Sequence, residues 1–426
     1  ALYFFVPRTV STIFSSSQPG KKEILMNEND IQPLRTVYHR KLAETTLDFK
    51  RYLYNQINWD VRMLGIKGEK GVGKTTLILQ HILEAFDNPD DALYVSMDNM
   101  WFTTHSIFDL ADYLYSVGVY HLFLDEIHKC PEWTAVLKNL YDNYPNLNIV
   151  YTGSSMLRID NSKVDLSRRQ TLYRLHDMSF REYLEYEGIA SFPAYTLEEL
   201  LHRHIKIAIE VVSQCKPLKF FSDYLSRGMY PYFKESGADF HIRLAETVAQ
   251  TIESDLPAVE DVTFETVQKS KKLLMIIAEK IPFIPNISKL CQALGTTRDS
   301  CLKILYALDR AGVLNLLTTE LKSYKKLVNP DKIYIGNSNI MQALGGSCDI
   351  GTIRETFFAN QVGARYPLQY PKKGDFFACG KYLFEIGGAG KTFDQIKDEP
   401  DGYLAVDDTE IGSGARIPLW MFGFLY

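Results

Sequence analysis

A chain of 426 residues is too long for one ordinary core, so two or three domains are expected, each burying its own apolar interior. With 46% hydrophobic and 23% charged residues, the composition is globular and excludes extensive disorder. The net charge of -5 excludes a whole-chain electrostatic argument for nucleic acid, although a local excess of either sign can hide inside that total.

The six cysteines, at positions 130, 215, 291, 301, 348 and 379, are scattered, with no CxxC pair and no histidine at zinc-finger spacing. A reduced, cytoplasmic protein is the simplest reading. No apolar run approaches the ~20 residues that span a bilayer, so no membrane partner is expected. The start, ALYFFVPRTVSTIFSSSQPGKK, lacks a signal peptide's basic-then-apolar order and reads as a loose leader. Because Met26 opens a polar, ordinary-looking start, residues 1–25 are read as an extension or a poorly ordered arm, and 1–44 as arm and lead-in.

Residues 61–66, VRMLGI, predict a buried strand. A glycine loop follows, and KTTLILQHILEAF from Lys74 to Phe86 has helical spacing, with Leu77, Leu79, Ile82 and Leu83 apolar. Further short strands are expected at 92–97 (ALYVSM), 121–126 (HLFLDE) and 147–153 (LNIVYTG), with a helix around Ser106 to Tyr115. Buried strands alternating with helices predict an α/β fold, a parallel sheet covered on both faces whose ligand sits at the strands' C-terminal ends, over residues 45–175. Helices then take over at 176–255, in SFREYLEYEG, TLEELLHRHIKIAIEVVSQC and LKFFSDYLSRG, a lid-like region. Residues 264–330 hold three helical stretches and a turn-rich tail, and NISKLCQALGTTRDSCLKILYALDRAGVL has the look of a helix-turn-helix. Past the NPDK turn at 329–332, short strands with one helix (TIRETFFANQVGA) predict a third, α/β unit at 335–426.

Gly68, Gly73, Lys74 and Thr75 fill the pattern GxxxxGK[ST] of a phosphate-binding loop. In such a loop the glycines let backbone N–H groups wrap the phosphates of ATP, Lys74 reaches the β- and γ-phosphates, and the Thr75 hydroxyl ligates Mg²⁺; Gly71, Val72 and Thr76 complete the expected binding set. About fifty residues on, LFLDEIH puts Asp125 and Glu126 at the end of an apolar strand. Asp125 is expected to hold Mg²⁺ through its water shell, and Glu126 to orient and polarise the attacking water as general base. Two solvated acids at a strand end is the plainer alternative, and the glycine loop weighs against it. Ser154 and Ser155, after the next strand, would reach the γ-phosphate or the water, or else cap the following segment. Arg168 and Arg169 in LSRRQ offer an arginine finger acting in trans, which would require a homo-oligomer.

On GEKGVGKTT, LFLDEIHKCPEW, YTGSSM, SRRQTLYRLHDMSFREYL and YLSRGMYPYF the chain resembles prokaryotic AAA+ superfamily ATPases built from an ATPase core, a winged helix and a C-terminal domain of unknown function that looks like a restriction endonuclease. The likeness runs from about residue 45 to the end, its ATPase part the more specific. It implies a P-loop core that hydrolyses Mg·ATP, a winged helix at 264–330 and a restriction-endonuclease-like fold at 335–426. In that group an arginine stands about ten residues before the SFREYL serine, which from Ser179 points to Arg169; the usual preceding glycine is replaced here by Arg168.

Residues 264–328 carry eleven Lys or Arg against five Asp or Glu, a local positive charge inside an acidic chain. A helix opening at Thr296 or Thr297 would present Arg298, Lys303 and Arg310, and Lys322, Lys325 and Lys326 would form a basic wing against DNA phosphates. A packing module between domains with a solvated charged face satisfies the same pattern.

Near the C-terminus, FEIGGAGKT ends like a second phosphate loop but has Glu385 where the first glycine is required. A carboxylate there would oppose phosphate, the helix expected over TFDQIKDE is short, and YLAVDD at 403–408 follows too soon for a normal crossover. One nucleotide site is therefore expected. The resemblance implies another use, in which Glu355, Asp375 and Glu385 surround a second Mg²⁺ site with a lysine two residues after the last acid. Gly387 stands at that position, and Lys391 is the nearest lysine downstream. Two functions follow as expectations: an ATP-driven, DNA-directed enzyme with a nuclease-like effector, or a nucleotide-switched interaction protein whose C-terminal domain only binds.

Overall fold

The computed structural model describes residues 26–155, 166–259, 262–279, 284–319, 327–345 and 349–426. Its first helix, α1 (Glu28–Glu44), opens on a capping box in which Asn27 and Asp30 satisfy each other's backbone N–H groups. Ile31, Leu34, Tyr38 and Leu42 fall on one face of it and are buried. Part of the expected lead-in is thus a packed helix, lying against the sheet domain.

Strands β1 (Met63–Gly68), β2 (Ala92–Ser96), β3 (His121–Asp125), β4 (Asn148–Ser154) and β5 (Thr171–Leu175) form one parallel sheet in the order β2-β3-β4-β1-β5. Helices α2 (Lys74–Ala85), α3 (Ile107–Ser116) and α4 (Trp133–Asn143) make the crossovers. Strands β1 to β4 are apolar and almost wholly buried, as a sheet covered on both faces requires. The sequence reading has no counterpart for β5, because a half-exposed edge strand carries no apolar run. The order matters for function: β4 separates β1 from β3, so the glycine loop after β1 and the acids ending β3 flank the end of β4.

After the sheet come α5 (Phe180–Tyr186), α6 (Leu197–Gln214), α7 (Pro217–Arg227), α8 (Phe233–Ser236), α9 (Phe240–Gln250), a single π-helical turn at Thr251–Asp255, and α10 (Leu256–Val259). Ser179 with Glu182 and Thr196 with Glu199 form capping boxes that start α5 and α6.

Next come α11 (Phe264–Ala278), α12 (Ile287–Leu294) and α13 (Arg298–Arg310), followed by the antiparallel pair β6 (Leu314–Leu317) and β7 (Lys332–Ile335). Gly295 (φ 58°) ends α12 in the left-handed conformation, and the Thr297 hydroxyl caps α13, giving two helices around a short turn. Part of the basic excess is spent on partners within the protein. The amines of Lys269 and Lys272 bond the Gly295 and Ala293 carbonyls at 3.1 and 2.6 Å, where the end of α12 lacks donors, and Lys271 pairs with Glu253. Arg298 and Lys303 are exposed, whereas Arg310 has its Nε and Nη1 buried, which corrects its expected place on the phosphate-facing side. Lys322, Lys325 and Lys326 lie outside the described residues.

The last unit has α14 (Ser338–Ala343), α15 (Ile350–Gly363) and a mixed sheet of β8 (Leu368–Gln369), β9 (Phe376–Ala378), β10 (Tyr382–Gly387), β11 (Gly402–Val406) and β12 (Arg416–Pro418), ordered β12-β11-β10-β9-β8. Phe358 of α15 packs on Phe376, Phe384 and Phe422. TFDQIKDE forms turns rather than the expected helix; Thr392 bonds the Asp394 side chain at 2.6 Å, a local contact that competes with helical bonding. Tyr426 returns to the start of α5, its carbonyl accepting from Ser179 Oγ at 2.9 Å and Arg181 Nε at 2.8 Å. Among the described residues, no helix is long and apolar enough to cross a membrane.

Candidate functional site

The loop between β1 and α2 depends on two glycines. Gly71 (φ 87°) and Gly73 (φ 97°) adopt the left-handed conformation that side chains resist. A Cβ at Gly71 would stand 2.5 Å from the Tyr232 ring, so this tyrosine of YLSRGMYPYF closes over the loop. Gly73 caps α2, which leaves Lys74, Thr75 and Thr76 in its first turn, where unpaired N–H groups suit an anion.

Lys74 is buried, and its amine donates to the Gly68 and Glu69 carbonyls, both at 2.9 Å. Thr75 Oγ1 donates to Asp125 Oδ2 at 2.7 Å. Asp125 also accepts from Tyr94 OH at 2.7 Å and from Thr152 Oγ1, so its carboxylate is held from three sides. Burial, and then the Asp125 charge, push the Tyr94 phenol far above its ordinary pKa, which keeps it a donor. A hydroxyl and a carboxylate in contact form an oxygen donor set that suits Mg²⁺, and a lysine at a helix N-terminus suits phosphate. A cavity of about 1020 Å³ beside the loop is lined by Gly71, Gly73, Lys74, Thr75, Thr76 and Glu126, among others. Val72 turns its side chain inward, and its carbonyl is bound by Arg51.

Glu126 lines that cavity in the left-handed conformation (φ 55°), a strain of the kind that gathers at working sites. Its N–H donates to Thr152 Oγ1 at 3.1 Å, and its Oε2 lies 3.4 Å from Nε2 of buried His128. Ser154 is buried, its N–H donating to His128 Nδ1 at 3.3 Å, and Ser155 is buried beside it. Arg169 makes a two-point contact with Asp142 of α4, at 2.9 and 3.1 Å, and by this hydrogen bonding lowers the Asp142 pKa; Arg168 is exposed.

Several supporting residues escaped the sequence reading. Thr152 lay in plain view in YTGSSM, and Ser179-x-x-Glu182 is a readable capping box. Arg51 and Tyr94 carry no signal, because their partners Glu182 and Asp125 come from distant parts of the chain.

In the C-terminal sheet, Glu385 on β10 is buried and paired with the Lys391 amine, so the glycines at 387, 388 and 390 do fold the chain back over the acid. Glu355 accepts from Lys332 Nζ at 2.8 Å and Tyr334 OH at 2.6 Å. Asp375 accepts from the Ile386 N–H at 2.8 Å; burial, and then the Glu355 charge, push its pKa up to about 6. Glu355 and Glu385 both stand near enough for their charges to act on Asp375, yet each acid has its own partners. Among the described residues no group of three or more His, Cys, Asp or Glu is placed to hold a metal ion.

A protein of Methanocaldococcus jannaschii, named "Uncharacterized protein MJ1637", is 27% identical over 385 residues, which are 82% of this chain and 80% of that protein. Among solved structures, the S. cerevisiae Hsp104-ADP complex aligns with 64% of this chain and 39% of its own at 14% identity and a TM-score of 0.29. AMPPCP-bound DnaA from Aquifex aeolicus aligns with 65% of this chain and 88% of its own at 14% identity and a TM-score of 0.25. Residues 60–184 match the family model described as AAA domain, a span that takes in all five parallel strands, the glycine loop and both acids.

Proposed function

We propose that the chain binds Mg·ATP at residues 68–76, hydrolyses it with Glu126 as general base, and passes the nucleotide state to residues 264–330, read as a winged helix, and to a C-terminal domain read as restriction-endonuclease-like. The observation that carries this reading is the 2.7 Å bond between Thr75 and Asp125, fifty positions apart in the chain. Magnesium supplies charge neutralisation at the phosphate oxygens when bound, and Thr75 and Asp125 are the residues that would hold it. Lys74 exchanges its loop carbonyls for phosphate oxygens, Tyr94 and Thr152 orient Asp125, and Glu126 takes the proton of the attacking water.

Coupling is supported by Glu69. Its Oε1 accepts from Arg174 at 2.7 Å, and its side chain fills the space beside Gly312, at the end of α13. A change in the loop is therefore felt where the helical unit begins its hairpin. DNA would meet Arg298 and Lys303, together with Lys322, Lys325 and Lys326. The second reading is a nucleotide-switched interaction module with a catalytically inactive C-terminal domain. It is favoured by the separate engagement of Glu355 by Lys332 and of Glu385 by Lys391.

One assay tests both: purified protein with ATP, Mg²⁺ and DNA, scored for phosphate release and for strand cleavage. ATP hydrolysis is expected; cleavage favours the first reading, hydrolysis without cleavage the second, and no hydrolysis under any condition overturns the proposal. The finger assignment has its own test, since Arg169 must leave Asp142 to reach a neighbouring subunit. Arg169→Ala is expected to lower turnover by about 10³-fold while Asp142→Ala leaves it near wild type. Equal effects of the two substitutions on phosphate release would reduce Arg169 to an intrachain surface pair.

A further inference from the structure

His128 stands at the junction of three parts of the molecule. It follows Glu126 on the short 3₁₀ turn Ile127–Lys129, and its side chain is fully buried. Its Nδ1 accepts from the Ser154 N–H at the end of β4, which leaves the ring proton of the neutral imidazole on Nε2. That Nε2 has no hydrogen bond of good geometry; instead it lies 3.4 Å from Glu126 Oε2 and 3.5 Å from Asp255 Oδ1. One donor thus faces two carboxylates at nearly equal distance. A buried N–H left between partners carries a desolvation penalty that either full bond relieves, so the arrangement has two competing settlements.

The two acceptors differ in what they belong to. Glu126 lines the nucleotide cavity. Asp255 is buried at the end of the π-helical turn between α9 and α10. Single π turns inside α-helical segments are uncommon and gather at functional sites. Asp255 also accepts from Lys129 Nζ at 2.9 Å and Ser254 Oγ at 3.2 Å. Burial works to raise its pKa, but the neighbouring His128 and Lys129 outweigh burial and hold its carboxyl well below the usual value. The same π turn carries Glu253, which pairs with Lys271 of α11 in the helix-turn-helix unit. A continuous set of polar contacts therefore leads from Glu126 through His128 and the π turn to the first helix of that unit.

We propose that His128 is a positioning residue whose single Nε2–H is divided between Glu126 and the π turn, so that engagement of Glu126 with its reactants and tightening of residues 251–255 are linked. The proposal rests on Glu126 being the general base. When Glu126 turns to the attacking water it gives up its share of the donor, and the N–H passes wholly to Asp255. The π turn then gains a full buried hydrogen bond. In the opposite sense, a displacement of α11 that shifts the turn returns the donor to Glu126 and draws the carboxylate away from the water.

The test is hydrogen–deuterium exchange of the full chain, followed at the amides of 251–255, with and without Mg²⁺ and a non-hydrolysable ATP analogue. In the wild type the analogue is expected to slow exchange there several-fold. In His128→Phe, which keeps a ring in the space and removes the donor, that response is expected to vanish, while affinity for the analogue stays within about twofold. The same variant should lose kcat by about 10- to 100-fold with KM for ATP nearly unchanged, because the base is misplaced and the substrate is not. His128→Gln, whose amide can accept from Ser154 N–H and still donate, should recover part of both responses. If His128→Phe does not fold, Asp255→Ala removes the other acceptor and must abolish the exchange response as well. A wild-type response at 251–255 in either folded variant, or no response in the wild type, overturns the proposal. Turnover retained by Glu126→Gln would instead remove the general base while leaving the exchange result intact, which separates the two failures.

Discussion

Glu126→Gln is expected to bind ATP as the wild type does and to lose turnover by about 10²- to 10⁴-fold. The substitution is nearly isosteric and keeps the backbone at φ 55°, so the strained position is undisturbed and only the ability to accept a proton is lost. Lys74→Ala is the complementary variant. Its amine sits in the loop, bonded to the Gly68 and Glu69 carbonyls, and its loss removes both the charge that meets phosphate and the contact that holds the loop's shape. Binding itself should fail there, by more than tenfold in affinity. Fluorescent-nucleotide titration and phosphate release, run on both variants, separate the roles. Hydrolysis at the wild-type rate by the glutamine variant would reject the assigned base, and tight binding by Lys74→Ala would reject the loop as the site.

The second large effect concerns a buried ion pair that no motif announces. Glu182 is fully buried and accepts from Arg51 Nε at 2.9 Å, Arg51 Nη2 at 3.2 Å, the Tyr52 N–H at 2.6 Å and the Ser179 N–H at 3.0 Å. Glu182→Ala strands the buried guanidinium, whose remaining partners, the Val72 and His176 carbonyls, carry no charge. Destabilisation of about 3–5 kcal/mol is expected, read as a shift in urea midpoint. Since Arg51 also fixes the carbonyl of Val72 in the glycine loop, nucleotide affinity should fall with it. Burial works to raise the Glu182 pKa, but Arg51's charge and hydrogen bonds outweigh it and leave the carboxyl below its ordinary value. The sign follows: this contribution is complete above the unfolded pKa of about 4.3 and is lost as pH falls through the lower folded value. The wild type should therefore lose more stability than Glu182→Gln between pH 7 and pH 3. A loss under about 1 kcal/mol in the alanine variant at pH 7 would mean that water replaces the carboxylate and the pair is not structural.

Much of the candidate nucleotide site was legible because its parts are local. GEKGVGKTT spells a loop whose glycines and helix start are consecutive, and β1 to β4 declare themselves as apolar runs because strands covered on both faces must be. The half-exposed β5 has no such run, and α1 hides behind a polar opening whose capping box shows only once the helix is seen. Charge was the least legible property. Eleven cations between 264 and 328 read as a surface for phosphate, yet Lys269 and Lys272 cap a neighbouring helix and Arg310 turns inward.

The C-terminal FEIGGAGKT shows the division most clearly. Its sequence was enough to remove it from the phosphate loops, because an acid stands where glycine is required. Only the fold could decide that Lys391 bends back onto Glu385 and that Glu355 comes near enough to Asp375 for its charge to act there. Likewise the letters DEIH name Glu126, while the place of His128 between two carboxylates depends on Asp255, in the π turn between α9 and α10. The sequence by itself determined the buried strands β1 to β4, the glycine loop and the chemistry of each side chain, since these follow from neighbouring residues and their periodicity. Which charges meet, and therefore which are buried, neutralised or shared, was decided by the tertiary structure, because electrostatic partners are chosen by distance in space and by the loss of water around them.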